Sequence, residues 1–139
     1  MKKMMFLLFL LIFSSHLFSQ SRLGSSFKEI RDEFSDDASV KLTEKYFTEA
    51  KEGRYIKYLE LVIDNATVVY IFNTSLICYG TYIVPANQGA LNYYVELYNK
   101  RYVIISPTKW RMYYSGGYNE VELFFEEDDI FYFMWSFGG

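Results

Sequence analysis

The sequence predicts an α+β fold: two helix-plus-antiparallel-meander units in tandem, with the helices packed on one face of the sheet. Three observations lead there. Residues 54–85 hold three β-type runs separated by two short breaks, and such a meander presents a broad apolar face that other segments must cover. A second group of short β runs with readable alternation fills residues 102–137. One amphipathic helical segment precedes each group. The repeat period of about 60 residues, seen twice, points to a duplicated unit and not to a solenoid. The two halves span about 24–85 and 86–139.

The first nineteen residues read as a secretory signal peptide. Lys2 and Lys3 form a positive start, residues 4–13 are unbroken apolar, and Ser19 is a small residue suited to cleavage. A bilayer span needs roughly 20 apolar residues, more than this run supplies. No cysteine follows the run, so a lipid anchor is not expected. The mature chain is therefore expected to begin near Gln20 and to be exported, to the periplasm or beyond, touching membrane only through its signal.

Removal of that segment changes the chemistry available. His16 is the single histidine and leaves with the signal. Lys2 and Lys3 are two of the 14 basic residues, so 12 remain against 17 acidic ones, a formal charge of −5. An acidic balance of this kind does not suit nucleic acid, whose phosphates call for a basic patch. Cys78 is alone and cannot form an internal disulfide, and its neighbours Ile77 and Tyr79 mark it as a small buried hydrophobe. Residues 20–139 have the length of a single domain, and 21 % aromatic content provides ample material for its core.

Taken in order, Ser26-Phe27-Lys28-Glu29 has the capping-box pattern. Phe27, Ile30 and Phe34 then recur at helical spacing, which predicts a helix over 27–34. Ser35-Asp36-Asp37 ends it, because short polar side chains compete for backbone hydrogen bonds. Residues 40–50 fit a polar edge strand through Val40, Leu42 and Tyr46, although 43–51 also fits a helical turn; the strand reading comes first. Residues 55–63 and 67–72 form a hairpin about Asp64-Asn65, which tolerate the positive φ of a tight turn. Asn73-Thr74-Ser75 breaks the chain before a run over 76–84, which Pro85 stops.

Asn87 is the expected cap of the second helix, whose apolar stripe is Leu91, Tyr94, Val95 and Tyr98. Lys100 and Arg101 lie at the end favoured by cations. Four β runs follow at 102–106, 109–114, 118–125 and 130–137. Trp110, Met112 and Tyr114 share one face with Val121, Leu123 and Phe125, and with Phe131, Phe133, Trp135 and Phe137. Arg111, Glu120 and Glu122 point the other way.

The opening Gly24-Ser25-Ser26-Phe27-Lys28-Glu29-Ile30 resembles the start of β-lactamase-inhibitor-protein-like envelope modules, a group that includes outer-membrane assembly lipoproteins. Those modules place a helix before a meander, and the inhibitors carry the plan in tandem. The resemblance implies a fold of this plan and a role in binding other proteins without catalysis. It extends to no functional residue, because the lipidated cysteine of the lipoproteins and the disulfides of the inhibitors are absent.

Without a mature histidine, Ser-His-Asp and Cys-His machinery and the usual zinc sites are excluded, and no catalytic residue is expected. Ser115-Gly116-Gly117 lacks the lysine of a phosphate loop. Glu120 and Glu122 sit at neighbouring same-face positions, roughly 6.5–7 Å apart, which glycoside hydrolysis permits; two solvated glutamates on the outer face are the simpler reading. Glu126-Glu127-Asp128-Asp129 offers hard oxygens but neither the spacing nor the glycine of a calcium loop, so no metal and no cofactor are expected. Tyr113, Phe124 and Tyr132, with Arg111 and Lys109 nearby, are the candidate binding residues on the face opposite Trp110 and Phe133. Two readings of them stay open, an aromatic platform and a second layer of core. The expected function is a non-enzymatic module that binds another protein of the cell envelope. The alternative is a carbohydrate-binding or glycoside-cleaving domain using the same aromatic face.

Overall fold

The structure, a computed structural model, describes residues 21–48, 53 and 55–138. The apolar run 4–13 and the cleavage point after Ser19 lie outside the described residues. Helix α1 is Phe27–Phe34, and the Ser26 side chain accepts from the Glu29 N–H while the Glu29 carboxylate accepts from the Ser26 N–H. That reciprocal cap satisfies two donors that a helix start otherwise leaves unpaired. Four strands follow: β1 Lys41–Thr48, β2 Tyr55–Ile63, β3 Ala66–Phe72 and β4 Cys78–Pro85. The ambiguous stretch after Val40 is thus strand, paired residue for residue with β2.

Helix α2, Gln88–Arg101, is capped by Asn87, whose side-chain oxygen accepts from the Ala90 N–H at 2.9 Å. It leads into β5 Val103–Ser106, β6 Lys109–Tyr114, β7 Gly117–Phe125 and β8 Phe131–Gly138. A short 3-10 turn, Glu127–Asp129, joins the last two strands, with Asp128 and Asp129 at φ 68° and 60°. Aspartate tolerates that left-handed region because its short polar side chain bonds locally.

All eight strands belong to one antiparallel sheet in the order β1-β2-β3-β4-β8-β7-β6-β5. Each group of four is a meander, and the two are joined where β4 pairs with β8, from Gly80↔Ser136 to Ile83↔Phe133. The α+β class and the antiparallel sheet are as the sequence predicts. Several strand bounds shift by a residue, and Pro85, expected to stop the third run, is instead its last residue, paired with Ala66; two larger differences have local reasons. The third run begins at Cys78, not at Leu76, because the Asn73 side chain accepts from the Ser75 and Ile77 N–H groups and holds a turn there. Leu76 adopts φ 59° within that turn. Tyr102, expected in β5, instead caps α2 and turns its ring onto Tyr98 and Trp135.

The core gathers alternate strand positions. Leu59, Leu61, Val68, Tyr70, Ile83, Trp110, Val121, Phe133 and Trp135 are buried together with Phe27 and Ile30 of α1 and Leu91, Tyr94 and Tyr98 of α2. Phe27 meets Phe72 edge-on at 5.1 Å, and Tyr98 meets Phe133 and Trp135 edge-on at 5.1 and 5.7 Å. Edge-to-face contact places a positive ring edge against a negative ring face, which adds to the gain from burial. The face shared by Trp110, Val121, Leu123, Phe133 and Trp135 is as read from alternation, whereas Tyr114, Phe125 and Phe137 at its ends stay exposed.

Phe133→Ala should therefore cost about 3–5 kcal/mol, since it opens a cavity among rings that cannot collapse into it. Ser26→Ala should cost only about 1 kcal/mol, the worth of one cap. Urea denaturation measures both, and equal losses from the two variants would contradict this core.

Candidate functional site

Strand alternation sends a second set of side chains to the opposite face. On β1 and β2 these include Lys45, Phe47, Tyr58 and Glu60; on β3 and β4 they include Val69, Ile71, Tyr82 and Val84. Beyond the β4–β8 joint come Tyr132 on β8 and Phe124 on β7, which stand directly opposite one another. Most of this set is half-buried, in contrast to the fully buried positions of the core face.

The rings of this face form a belt across the strands. Phe47 and Tyr58 have centroids 5.7 Å apart, Tyr82 and Tyr132 are also 5.7 Å apart, and Tyr132 stacks on Phe124 at 5.3 Å with 20° between planes. Val69 and Ile71 of β3 bridge the two groups. Together with Glu60 and Val84 they line a shallow groove of about 490 Å³. The Tyr132 hydroxyl donates to Glu126 at 3.1 Å, and burial followed by that bond raises its pKa.

Of the five residues singled out from the sequence, all lie on this face, but the structure separates them. Phe124 and Tyr132 belong to the belt. Tyr113 is 56 % exposed and pairs with Tyr118, ring centroids 5.5 Å apart. Tyr118 and Phe124 are six positions apart on β7, which is roughly 20 Å of strand. Tyr113 is therefore no part of the same platform. Between them lies a ladder of charges: Arg111 Nε to Glu120 Oε2 at 2.8 Å, Lys109 Nζ to Glu120 Oε1 at 3.2 Å and to Glu122 Oε2 at 3.5 Å. The Arg111 guanidinium also sits 4.3 Å over the Tyr118 ring. Hydrogen bonds to Tyr113 and Glu120 push the Arg111 pKa up. Lys109 and Arg111 are thus committed to neighbours on their own sheet.

The same ladder governs the glutamate pair. The hydrogen bond from Arg111, followed by that from Lys109, outweighs burial and lowers the Glu120 pKa below the usual 4.5. A general acid needs a raised pKa, so the shift runs opposite to that chemistry. Cys78 is buried, its Sγ 3.4 Å from the Gly80 carbonyl oxygen, and burial raises its thiol pKa away from reactivity. Among the described residues no three His, Cys, Asp or Glu side chains converge as metal ligands would.

A second concavity, about 620 Å³, lies at the β1–β2 end between Tyr46, Tyr55, Lys57, Phe72 and Tyr79. Lys57 bonds Glu44 at 2.8 Å and rests 3.7 Å from the Phe27 ring centroid. Its charge ties α1 to the first two strands.

Sequence reasoning missed Phe47, Tyr58 and Tyr82. Phe47 lies on a strand with polar residues on both faces, and Tyr58 and Tyr82 lie on strands with large apolar residues on both faces, so composition did not mark which of these aromatics point outward. Only the register across β2, β3 and β4 assigns them. Compared with protein-family models, curated proteins and solved structures, the chain matches none.

The ladder makes a pH prediction. Glu120 has a lowered folded-state pKa, so its contribution to stability is present above about 4.5 and is lost as pH falls through the folded value. Glu120→Gln should therefore be less stable than the wild type near neutral pH, by up to about 1 kcal/mol for pairs this exposed. The difference should shrink as the pH falls below 4, in urea melts at each pH. A gap that grows on acidification would contradict the ladder.

Proposed function

We propose that this protein is an exported, non-enzymatic binding module that holds another protein of the cell envelope against the open face of its sheet. The observation that carries the reading is the uncharged aromatic belt from Phe47 and Tyr58 through Tyr82 to Tyr132 and Phe124, with its groove of about 490 Å³. Tyrosine and arginine are the residues that most often dominate a protein interface, and stacked rings on a sheet lose little conformational freedom when a partner arrives. The Lys45–Glu60 pair neutralises the one carboxylate in the groove lining, and Lys109–Glu120–Arg111 supply charge beyond its β7 side.

The element order supports the tandem plan in this reading: one helix and four strands, then one helix and four strands. On that plan both helices cover the core face and leave the other for a partner. The resemblance of residues 24–30 to β-lactamase-inhibitor-protein-like modules, which bind proteins, agrees with it. The alternative is a carbohydrate ligand stacked on the same rings. Cleavage of a glycoside by Glu120 and Glu122 fits poorly with a Glu120 held ionised by Arg111 and Lys109.

The test is capture from envelope extract with the purified protein, compared across three forms. Wild type and Tyr113→Ala should recover the same protein at near equal stoichiometry. Tyr82→Ala combined with Tyr132→Ala should lose it, because each hot-spot truncation costs about 2 kcal/mol, or roughly 30-fold in affinity. Retention by the double variant, with its melting curve intact, would remove the belt from the reading. Binding to a glycan panel in place of any protein would favour the carbohydrate alternative.

A further inference from the structure

We propose that the concavity of about 620 Å³ at the β1–β2 end is a second binding site, and that its ligand is a neutral sugar stacked on Tyr46, Tyr55 and Tyr79. The aromatic belt takes no part in it. Lys57 lines this concavity and Tyr58 lines the belt groove, and successive strand residues point to opposite faces. Tyr46 stands opposite Lys57, and Tyr55 lies two positions before it on β2, so all three share one side. That side is the one covered by α1, whose Phe27 ring meets both Lys57 and Phe72.

Rings define the site. Phe72 is buried at its base, whereas Tyr46, Tyr55 and Tyr79 are 58 %, 78 % and 43 % exposed. Each tyrosine presents a flat apolar face with a polar tip. A pyranose has the matching form, with C–H groups on its faces and hydroxyls around its rim. The volume lies within the roughly 300–1,000 Å³ of small-molecule sites, which combine aromatic lining with a few placed polar groups.

Charge decides the ligand class. Lys57 Nζ bonds Glu44 Oε1 at 2.8 Å, and the Tyr46 hydroxyl donates to the same oxygen at 2.8 Å. The bonds from Lys57 and then Tyr46 lower the Glu44 pKa, and the bond to Glu44 raises that of Lys57, so both stay charged and cancel. A cationic ligand would meet the Lys57 ammonium, which already sits 3.7 Å from the Phe27 ring centroid and 5.6 Å from that of Tyr46. An anionic ligand would meet Glu44, while the ammonium that could hold it is committed. A neutral ligand meets neither cost. Glu44 Oε2 accepts from no described residue and can take a sugar hydroxyl.

The remaining polar groups are held by the turn after β3. Asn73 Oδ1 accepts from the Ser75 and Ile77 N–H groups, both at 3.0 Å, and the Phe27 N–H donates to the Leu76 carbonyl at 2.8 Å. With Oδ1 committed to the turn, the Asn73 amide is fixed in one orientation and its Nδ2 donor has no partner among the described residues. The Thr74 hydroxyl beside it is likewise unpaired among them. Donors already held in place cost little entropy when a ligand arrives.

Saturation-transfer NMR of the purified protein tests this with maltose, cellobiose and N,N′-diacetylchitobiose as neutral probes. At least one should bind with a Kd of about 1 mM. Tyr55→Ala should weaken it about tenfold, the worth of one ring contact, with the melting curve unchanged because that ring is exposed. Tyr82→Ala combined with Tyr132→Ala should leave it unchanged. Deacetylated chitobiose, a cation, and cellobiouronic acid, an anion, should each bind at least about fivefold more weakly than the neutral parent. No binding of any neutral probe below about 10 mM would overturn the proposal. So would an affinity untouched by Tyr55→Ala, or charged sugars held as tightly as neutral ones. Loss of the sugar with the Tyr82 and Tyr132 substitutions would also overturn it, since the ligand would then lie on the belt.

Discussion

The β4–β8 ladder is the constraint on which the rest of the structure depends. It pairs residues fifty or more positions apart in sequence, Gly80 with Ser136 and Ile83 with Phe133, and it is the joint that makes two meanders one sheet. Closing such a distant contact costs chain entropy before any contact rewards it. The compensation lies directly beneath. Tyr98 of α2 is buried against Phe133, Trp135, Trp110 and Tyr102, and the Trp135 indole N–H donates to the Tyr98 hydroxyl at 3.4 Å. Burial raises the Tyr98 pKa well above 10, so this hydroxyl stays protonated throughout the physiological range. Thr81, fully buried at the same joint, donates to the Ser21 carbonyl and fastens the segment before α1 to the sheet.

That joint also determines what the other face can do. Because β4 meets β8 in this register, Tyr82 of the first meander comes into ring contact with Tyr132 of the second, and Tyr132 continues to Phe124. Neither meander alone contains the belt. A surface assembled in this way is present only when both halves are folded and docked, and it is held by backbone pairing on every strand it crosses. Its rim of ion pairs is worth little to stability, since exposed pairs contribute about 0–1 kcal/mol. Its effect is on the surface, where cations and carboxylates cancel one another locally, Lys45 pairing the Glu60 carboxylate of the groove.

Much of this fold was legible in the sequence, and the reason is local chemistry. Ser26 and Glu29 announced α1 and Asn87 announced α2, because each satisfies a specific backbone need at that point; Asp64-Asn65 announced the hairpin, although neither takes the positive φ expected of it. Alternation on β6, β7 and β8 was legible because Arg111, Glu120 and Glu122 mark the outer positions. The site was only half legible. Tyr113, Phe124 and Tyr132 were correctly placed opposite Trp110 and Phe133, yet parity along a strand says nothing about distance along it. Tyr113 consequently stands roughly 20 Å from the belt by strand rise alone. Phe47 escaped because its strand carries polar residues on both faces, Tyr58 and Tyr82 because theirs carry large apolar residues on both, and only register distinguishes inner from outer there.

Hydroxyl-radical footprinting read by mass spectrometry tests the central claim, that one face of this sheet is a dry aromatic core and the other an open aromatic surface. Tyr70, Tyr94, Tyr98, Trp110 and Trp135 should be protected in the folded chain. On the open face, Tyr113 and Phe47 should be modified faster than Tyr82, Phe124 and Tyr132, which should react at intermediate rates. Protection of Tyr82 and Tyr132 as deep as that of Tyr98 would contradict the account, since those rings would then be core and no open belt would exist.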